Sequence, residues 1–398
     1  MNWGVSGGWR RGWPCIVEES HRSRRVAIVL TRLEMNGIQR MRMNLAKEFL
    51  ARGYEVDVVV GHARGMLREV LPPGCSLHVV AERGPVFFFS GLLRYLRARD
   101  PVGILSSYED VSIMVVWLNV LRGRSARVLV GTHNALWPLS EEGSRLKKLK
   151  NSLILRLLGP AYERADVVMA VSHGLAQELS GIIGREISEI RVIYNPVVTG
   201  EFERLFSQAP PREIAEFKDG PLIGFFGRFR EQKNLECLIE AFGHARRSIK
   251  CKLLLVGAGE MEDALREKVG RAGFSEEVMF HPFVQNPFPI MRVCDVVALS
   301  SKYEGLPNVL TEAMACGTQV VSTNCRHGAA EILGNGRWGQ LVGVGDATAL
   351  GDALKRAIDK TFWVDPDELR ARAFEFSAVT AADKYLDALG LPLRLCEN

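Results

Sequence analysis

Short apolar runs bounded by glycine-rich or polar turns recur along this chain, and the longer segments between them repeat their apolar residues at helical spacing. The runs at 25–30, 55–60, 76–80, 104–106, 127–132, 167–171 and 190–194 read as buried strands of the parallel type, because they are apolar on both faces rather than alternating. Helical patterns fall between them, such as 38–52, which ends at Gly53. A loop-rich stretch at 196–220, with Pro196, Gly200, Pro210, Pro211 and Gly220, interrupts the alternation and predicts a domain junction. A second series of strands follows at 221–226, 252–256, 278–280, 296–300, 319–322 and 339–342, with helices predicted at 347–360 and 376–389. The pattern predicts an α/β protein of two Rossmann-like, doubly wound domains, residues 25–200 and 201–375.

Composition agrees with two cores. A chain of 398 residues, 47% apolar and 24% charged, is too long for one ordinary domain and too apolar for disorder. Its eight cysteines are scattered without a C-x-x-C or Cys/His cluster, so neither a zinc site nor a disulfide framework is expected, and a reducing cytosol fits. Charge is uneven. Residues 1–200 carry 27 Lys/Arg and 18 Asp/Glu, a balance of +9, which leaves 24 and 28, or −4, for residues 201–398. A basic half attracts phosphates or anionic lipid, and no nucleic-acid-binding module is apparent. No apolar run approaches the roughly 20 residues of a membrane-spanning helix. Residues 1–24 lack the apolar core of a secretory signal and are expected to form a poorly ordered tail, or an arm whose Trp3, Trp9 and Trp13 touch a membrane interface.

The chemistry concentrates between 296 and 323, which reads as strand, loop, helix, strand. Glu304 lies in the loop and Glu312 on the helix, whose N-terminus offers free N–H groups and a positive dipole end to an anion such as a diphosphate. A loop carboxylate can face positive charge developing on a sugar ring, while one on the helix can accept from ribose hydroxyls. Two acids at this spacing are equally common as solvated surface residues. Arg228 and Lys233, just beyond a strand end, suit a diphosphate: guanidinium grips two oxygens and lysine adds a point charge. His133 stands where a strand ends, placed to reach a ligand. Gly37, in the first strand-to-helix loop, allows backbone to approach a ligand or simply makes the turn. Gly257, in a G-x-G turn, is weak evidence of a nucleotide by itself.

The segments EGLPNVLTEAMACGTQVVSTN and GRFREQKN together resemble the E-x7-E retaining glycosyltransferases of the GT-B fold, the family 4 or group 1 type, over about residues 25–390. The resemblance implies two domains facing each other across a cleft, with the segment 376–398 crossing back onto the first. It implies catalytic roles for Glu304, Arg228, Lys233 and His133, and donor contacts at Gly37, Gly257, Phe283, Gly305, Leu306, Asn308, Val309, Leu310 and Glu312. In the family the first loop usually carries two glycines, where this chain has Asn36 and Gly37, with Arg40 matching a following arginine. Related sequences often have Pro-Ser-Gly where Arg326, His327 and Gly328 stand.

The implied activity is transfer of a hexose or N-acetylhexosamine, with retention, from a nucleotide-diphosphate sugar, expected to be UDP-linked, to a saccharide or polyprenyl-diphosphate-linked acceptor. No metal or other cofactor is expected. The competing readings are a UDP-sugar 2-epimerase, a catalytically silent nucleotide-sugar-binding protein, and a glucan-extending enzyme. The segment 145–158 is amphipathic, with Leu146, Leu149, Leu153, Ile154 and Leu157 on one side and basic residues on another. It is either a helix for an anionic membrane surface or a core helix with a solvated basic face. The first reading would make the protein peripheral on the cytoplasmic membrane face. Phe87, Phe88 and Phe89, placed before a helix at 91–99, are expected to pack in the core.

Overall fold

The computed structural model describes residues 24–32, 37–62, 71–81, 84–136 and 145–394. The expected N-terminal tail, its tryptophans, and Asn36 lie outside the described residues.

Two all-parallel sheets organise the chain. The first has seven strands: β1 (Arg25–Arg32), β2 (Glu55–His62), β3 (Ser76–Val79), β4 (Gly103–Ser106), β5 (Arg127–Thr132), β6 (Val167–Ala170) and β7 (Ile190–Val192). Their order, β3-β2-β1-β4-β5-β6-β7, reverses direction between β1 and β4. The second sheet holds β8 (Leu222–Phe226), β9 (Lys252–Val256), β10 (Val278–His281), β11 (Val296–Leu299), β12 (Gln319–Thr323) and β13 (Gln340–Val342). Its order, β10-β9-β8-β11-β12-β13, reverses between β8 and β11. Strands β4, β6, β8 and β11 are buried at every position, as helices covering both faces require. The reversal points matter because a crevice opens there outside the carboxyl ends of the strands.

The chain passes between the sheets twice, and the two passages touch. Val197 and Val198 donate backbone N–H groups to the Phe376 carbonyl at 3.0 and 3.2 Å, and Ala378 N–H returns a bond to the Val198 carbonyl at 2.7 Å. The closing helix Ala378–Leu389 then lies on the first half. Arg52 bonds Asp383 at 2.8 Å, the Tyr54 hydroxyl donates to the Pro392 carbonyl at 2.6 Å, and Tyr385 is buried beneath them.

Two local expectations change. The helix near the three phenylalanines begins at Gly84 and runs to Arg99, so it contains them. Consecutive helical residues point about 100° apart, so Phe88 alone is buried, while Phe87 is 61% and Phe89 36% exposed. The amphipathic helix Arg145–Tyr162 turns Asn151, Leu158, Ala161 and Tyr162 inward and leaves Leu149, Leu153 and Leu157 exposed at 70%, 57% and 43%. These three leucines form one outward stripe at i, i+4 and i+8, bordered by exposed Lys148, Lys150 and Arg156. No helix among the described residues is long and apolar enough to cross a membrane.

Candidate active site

The loops leaving β8 and β11 are sewn together at the carboxyl end of the second sheet. Gln232 donates to the Tyr303 carbonyl at 2.8 Å, Lys302 N–H to the Gln232 carbonyl at 2.8 Å, and the Ser300 hydroxyl to the Lys233 carbonyl at 2.7 Å. This stitching brings Lys233 Nζ to 2.5 Å from Glu304 Oε1, where Ser301 Oγ also donates at 2.6 Å. Glu304 is only 8% exposed, so the pair is held in a dry setting where charge interactions are strong. Arg228 is exposed and without an ion-pair partner among the described residues. Gly257 is required by the protein itself, since its φ is +154° and a Cβ there would lie 1.9 Å from the Gly227 carbonyl oxygen. That contact presses the β8 and β9 loops against each other. Phe283, after β10, is 54% exposed.

The helix after the Glu304 loop spans Asn308–Ala315, with Pro307 as its N-cap residue. Leu310 N–H is taken by the Pro307 carbonyl at 3.1 Å, which leaves the amides of Asn308 and Val309 as the open donors of the first turn. Leu306, Val309 and Leu310 are buried and hold the turn in place. Glu312 is 5% exposed and ion-paired with Arg40, which reaches over from the first half. Burial raises the Glu312 carboxyl above its ordinary value of 4.5, against the opposing pull of Arg40.

The first half closes over this loop. His133 follows β5, and its carbonyl oxygen would lie 1.9 Å from a Cβ at Gly305, so only glycine permits the approach. Ser172 Oγ donates to the Gly305 carbonyl at 2.9 Å, and Asn195 Nδ2 donates to Asn308 Oδ1 at 2.8 Å. Gly37 also faces Asn308, whose Nδ2 would be 3.7 Å from a Cβ there. Thus His133, Glu304, Lys233, Glu312, Asn308 and Gly37 are gathered where the two halves meet, and the exposed Arg228 stands on the same loop as Lys233.

Where related sequences carry Pro-Ser-Gly, His327 takes a left-handed φ of +67° and binds Glu178 of the first half, Nε2 to Oε2, at 2.7 Å. This departure from the family pattern is therefore a contact between the two halves. Gly328 is confined by Gly305 and Leu306, each 2.7 Å from its would-be Cβ.

Sequence reasoning missed Arg42, Ser172 and Asn195. Arg42 carried a readable signal: it occupies the apolar stripe of its helix, in step with Leu45, Ala46 and Phe49, where a charge needs a reason. Ser172 and Asn195 carried none, since their partners lie more than 100 residues away. A separate cavity of 430 Å³, lined by Asp219, Arg246 and Lys252, lies at the opposite ends of β8 and β9. Three of its cations already have carboxylate partners, Arg246 with Glu277 and Lys250 and Lys252 with Asp219.

Comparison with known proteins follows the two-sheet division. The family described as glycosyl transferases group 1 matches residues 220–360, and that described as glycosyltransferase family 4 matches residues 35–201. The lipopolysaccharide core biosynthesis glycosyltransferase LpsE of Rhizobium meliloti is 31% identical over 365 residues, 89% of this chain and 95% of that protein. An N-acetylgalactosamine-N,N'-diacetylbacillosaminyl-diphospho-undecaprenol 4-alpha-N-acetylgalactosaminyltransferase of Campylobacter jejuni is 29% identical over 61% of this chain, a match that spans 66% of that enzyme. Among solved structures, Anabaena HepE in complex with UDP superposes with a TM-score of 0.76 at 20% identity, covering 92% of this chain and 99% of HepE.

Proposed function

Because the chain belongs to the group 1, family 4 glycosyltransferases and has their two-domain GT-B architecture, we propose that it moves a hexose or N-acetylhexosamine from a UDP-sugar to a polyprenyl-diphosphate-linked saccharide, with retention. The observation that carries this reading is the buried carboxylate of Glu304 held by Lys233 just before the open amides of Asn308 and Val309, with the exposed Arg228 on the same loop as Lys233. A glycosyl diphosphate breaks with oxocarbenium character, so the enzyme must stabilise a departing dianion while leaving one face of the sugar open. Arg228, Lys233 and the helix N-terminus take the dianion. The departing phosphate accepts the proton of the acceptor hydroxyl, so no separate base is needed. Glu304 supplies negative potential beneath the sugar, and Glu312 accepts from the ribose.

UDP is favoured because the similar HepE fold holds UDP, and a lipid-linked acceptor because the Campylobacter relative is named for one. The outward leucine stripe of Arg145–Tyr162, set among cations in the +9 half, supports a peripheral position on the cytoplasmic membrane face. The deciding experiment incubates the protein with UDP, GDP and ADP and follows thermal unfolding. A ligand at 100 times its Kd stabilises by about 2.7 kcal/mol, and UDP should be the one that does so. Release of UDP from a UDP-sugar should then require a saccharide acceptor. Sugar epimerised and UDP freed without any acceptor would replace this reading with that of a 2-epimerase.

A further inference from the structure

Arg42 is a guanidinium at 1% exposure with no carboxylate paired to it among the described residues. Its Nε donates to Ser107 Oγ at 2.5 Å, its Nη2 lies 2.7 Å from His133 Nε2, and its plane sits over the Tyr385 ring at 5.1 Å. Room for the pair is made by Gly131 in β5, where a Cβ would fall 3.1 Å from both Arg42 Nη2 and His133 Nε2 and 2.6 Å from Met169 Sδ. Burying a cation in this way is costly unless it does something a neutral side chain cannot.

What it does follows from hydrogen-bond direction. A guanidinium can only donate, so His133 Nε2 must present its lone pair, and the ring proton must sit on Nδ1. His133 Nδ1 and Asn195 Oδ1 are both buried and both lack a partner at bonding distance, and Asn195 acts on the ring as an acceptor does, favouring its protonation. These two groups are a donor and an acceptor left for each other. Asn195 then donates through Nδ2 to Asn308 Oδ1 at 2.8 Å, which leaves the Asn308 amide N–H groups on the side facing Gly37.

We propose that Arg42 is a positioning residue that sets the direction of a hydrogen-bonded chain, Arg42 to His133 to Asn195 to Asn308, fixing His133 as its Nδ1–H tautomer and aiming the Asn308 amide donors at the diphosphate of the sugar donor. The identity of that ligand rests on the function proposed above, but the two outer links, Arg42 to His133 and Asn195 to Asn308, are present without ligand. Burial and the Arg42 charge together push His133 well below its ordinary 6.5, so the ring stays neutral at neutral pH. Arg42 is the charged group acting on the ring, while Ser107 and Asn195 are neutral.

Imidazole 15N spectra of the ligand-free protein, labelled at histidine, test this directly. The His133 ring should show a protonated Nδ1 and an unprotonated Nε2, unchanged from about pH 8 down to about pH 5.5. An Nε2–H tautomer or an imidazolium in the unmodified protein at neutral pH overturns the proposal, whether or not any variant folds. In Arg42→Met the ring should lose its single tautomer, and with only burial still depressing it any acidic limb of turnover should move to higher pH, while Arg42→Lys, which keeps a donor, should restore the Nδ1–H form. A folded Arg42→Met with the same tautomer and pH profile would show that Arg42 only fills space. Asn195→Leu cuts the chain beyond the histidine and should leave the tautomer intact while weakening UDP about tenfold. Unchanged UDP affinity in that variant removes Asn308 from the chain. If the tautomer is as stated but UDP does not bind the unmodified protein, the choice of donor is wrong and the positioning role of Arg42 stands.

Discussion

Arg228 and Lys233 leave the same strand end but meet different surroundings, and this separates their expected behaviour. Lys233 is tied to Glu304 in the ligand-free protein, whereas Arg228 is exposed and without an ion-pair partner among the described residues. Loss of one charge-assisted partner of a diphosphate costs roughly 2 to 5 kcal/mol, or about 30-fold to several thousand-fold in turnover. Arg228→Ala should therefore be nearly inactive with stability unchanged, because it breaks no ion pair among the described residues. Lys233→Ala should lose turnover to a similar degree and also unfold at lower temperature, because it leaves the buried Glu304 carboxylate without its cation. Turnover assays with parallel melting curves check both, and wild-type turnover in a folded Arg228→Ala would end its assignment to the leaving group.

Glu312 carries the pH prediction. Its carboxyl is raised by burial, so the proton is held more tightly folded than unfolded. The stabilising contribution of that proton is present below the unfolded value of 4.5 and is lost as pH rises through the higher folded value. Ligand binding runs the other way, because a ribose hydroxyl needs the ionised form as acceptor. Calorimetric UDP affinity should fall on acidification before an ordinary glutamate would titrate, and Glu312→Gln should bind more weakly with no such dependence on pH. Equal pH profiles for the two proteins would remove Glu312 from the ribose.

At the level of elements, the Arg145–Tyr162 helix sets a cost against a use. Three leucines spaced one turn apart and left exposed forgo burial worth roughly 1.5 to 3 kcal/mol each, a cost that an apolar layer against this face would offset. On the proposed peripheral position, anionic lipid would supply both the apolar layer for the leucines and the negative charge facing Lys148, Lys150 and Arg156, at about 1 kcal/mol per cation near the surface. The side chain of Lys147 lies outside the described residues. Sedimentation with vesicles should show binding to anionic but not neutral lipid, weakened by salt over a Debye length of about 8 Å. Changing Lys147, Lys148 and Lys150 together to Gln should reduce it, and Leu149, Leu153 and Leu157 to Ser should reduce it further. Equal partitioning of both triple variants and the unmodified protein would assign the helix to ordinary solvated surface.

For the whole molecule, the contacts between the halves are specific and polar: Arg40 with Glu312, Glu178 with His327, Ser172 with Gly305, and Asn195 with Asn308. They place His133 of one half over the Glu304 loop of the other, and on the proposed function one face of a bound sugar would be left for the acceptor. Reaction on that same face predicts retention, so the product from an α-configured donor should show an α-linkage by NMR. A β-linkage would contradict the mechanism. On the proposed function the diphosphate charge falls to Arg228, Lys233 and helix amides, so turnover should survive EDTA. Its abolition by chelation and recovery with magnesium or manganese would show that a cation shares that task.

The sequence by itself determined the two sheets, because a strand buried on both faces must be apolar throughout and that pattern is local. It also located the loops that carry Arg228, Lys233 and Glu304 and the helix that carries Glu312, since strand ends and helix starts are set within a few residues. What the tertiary structure alone decided is which distant groups meet. The face a helix buries depends on its neighbour, so the outward turn of Leu149, Leu153 and Leu157 could not be read from their spacing. The need for glycine at 305 arises from His133, which lies 172 positions earlier in the chain. The pairing of Arg42 with His133 exists only once a helix of the first half packs on the end of β5, and that of Asn195 with Asn308 only once the two halves meet, because hydrogen bonds of this kind have a partner in space and none in the local pattern.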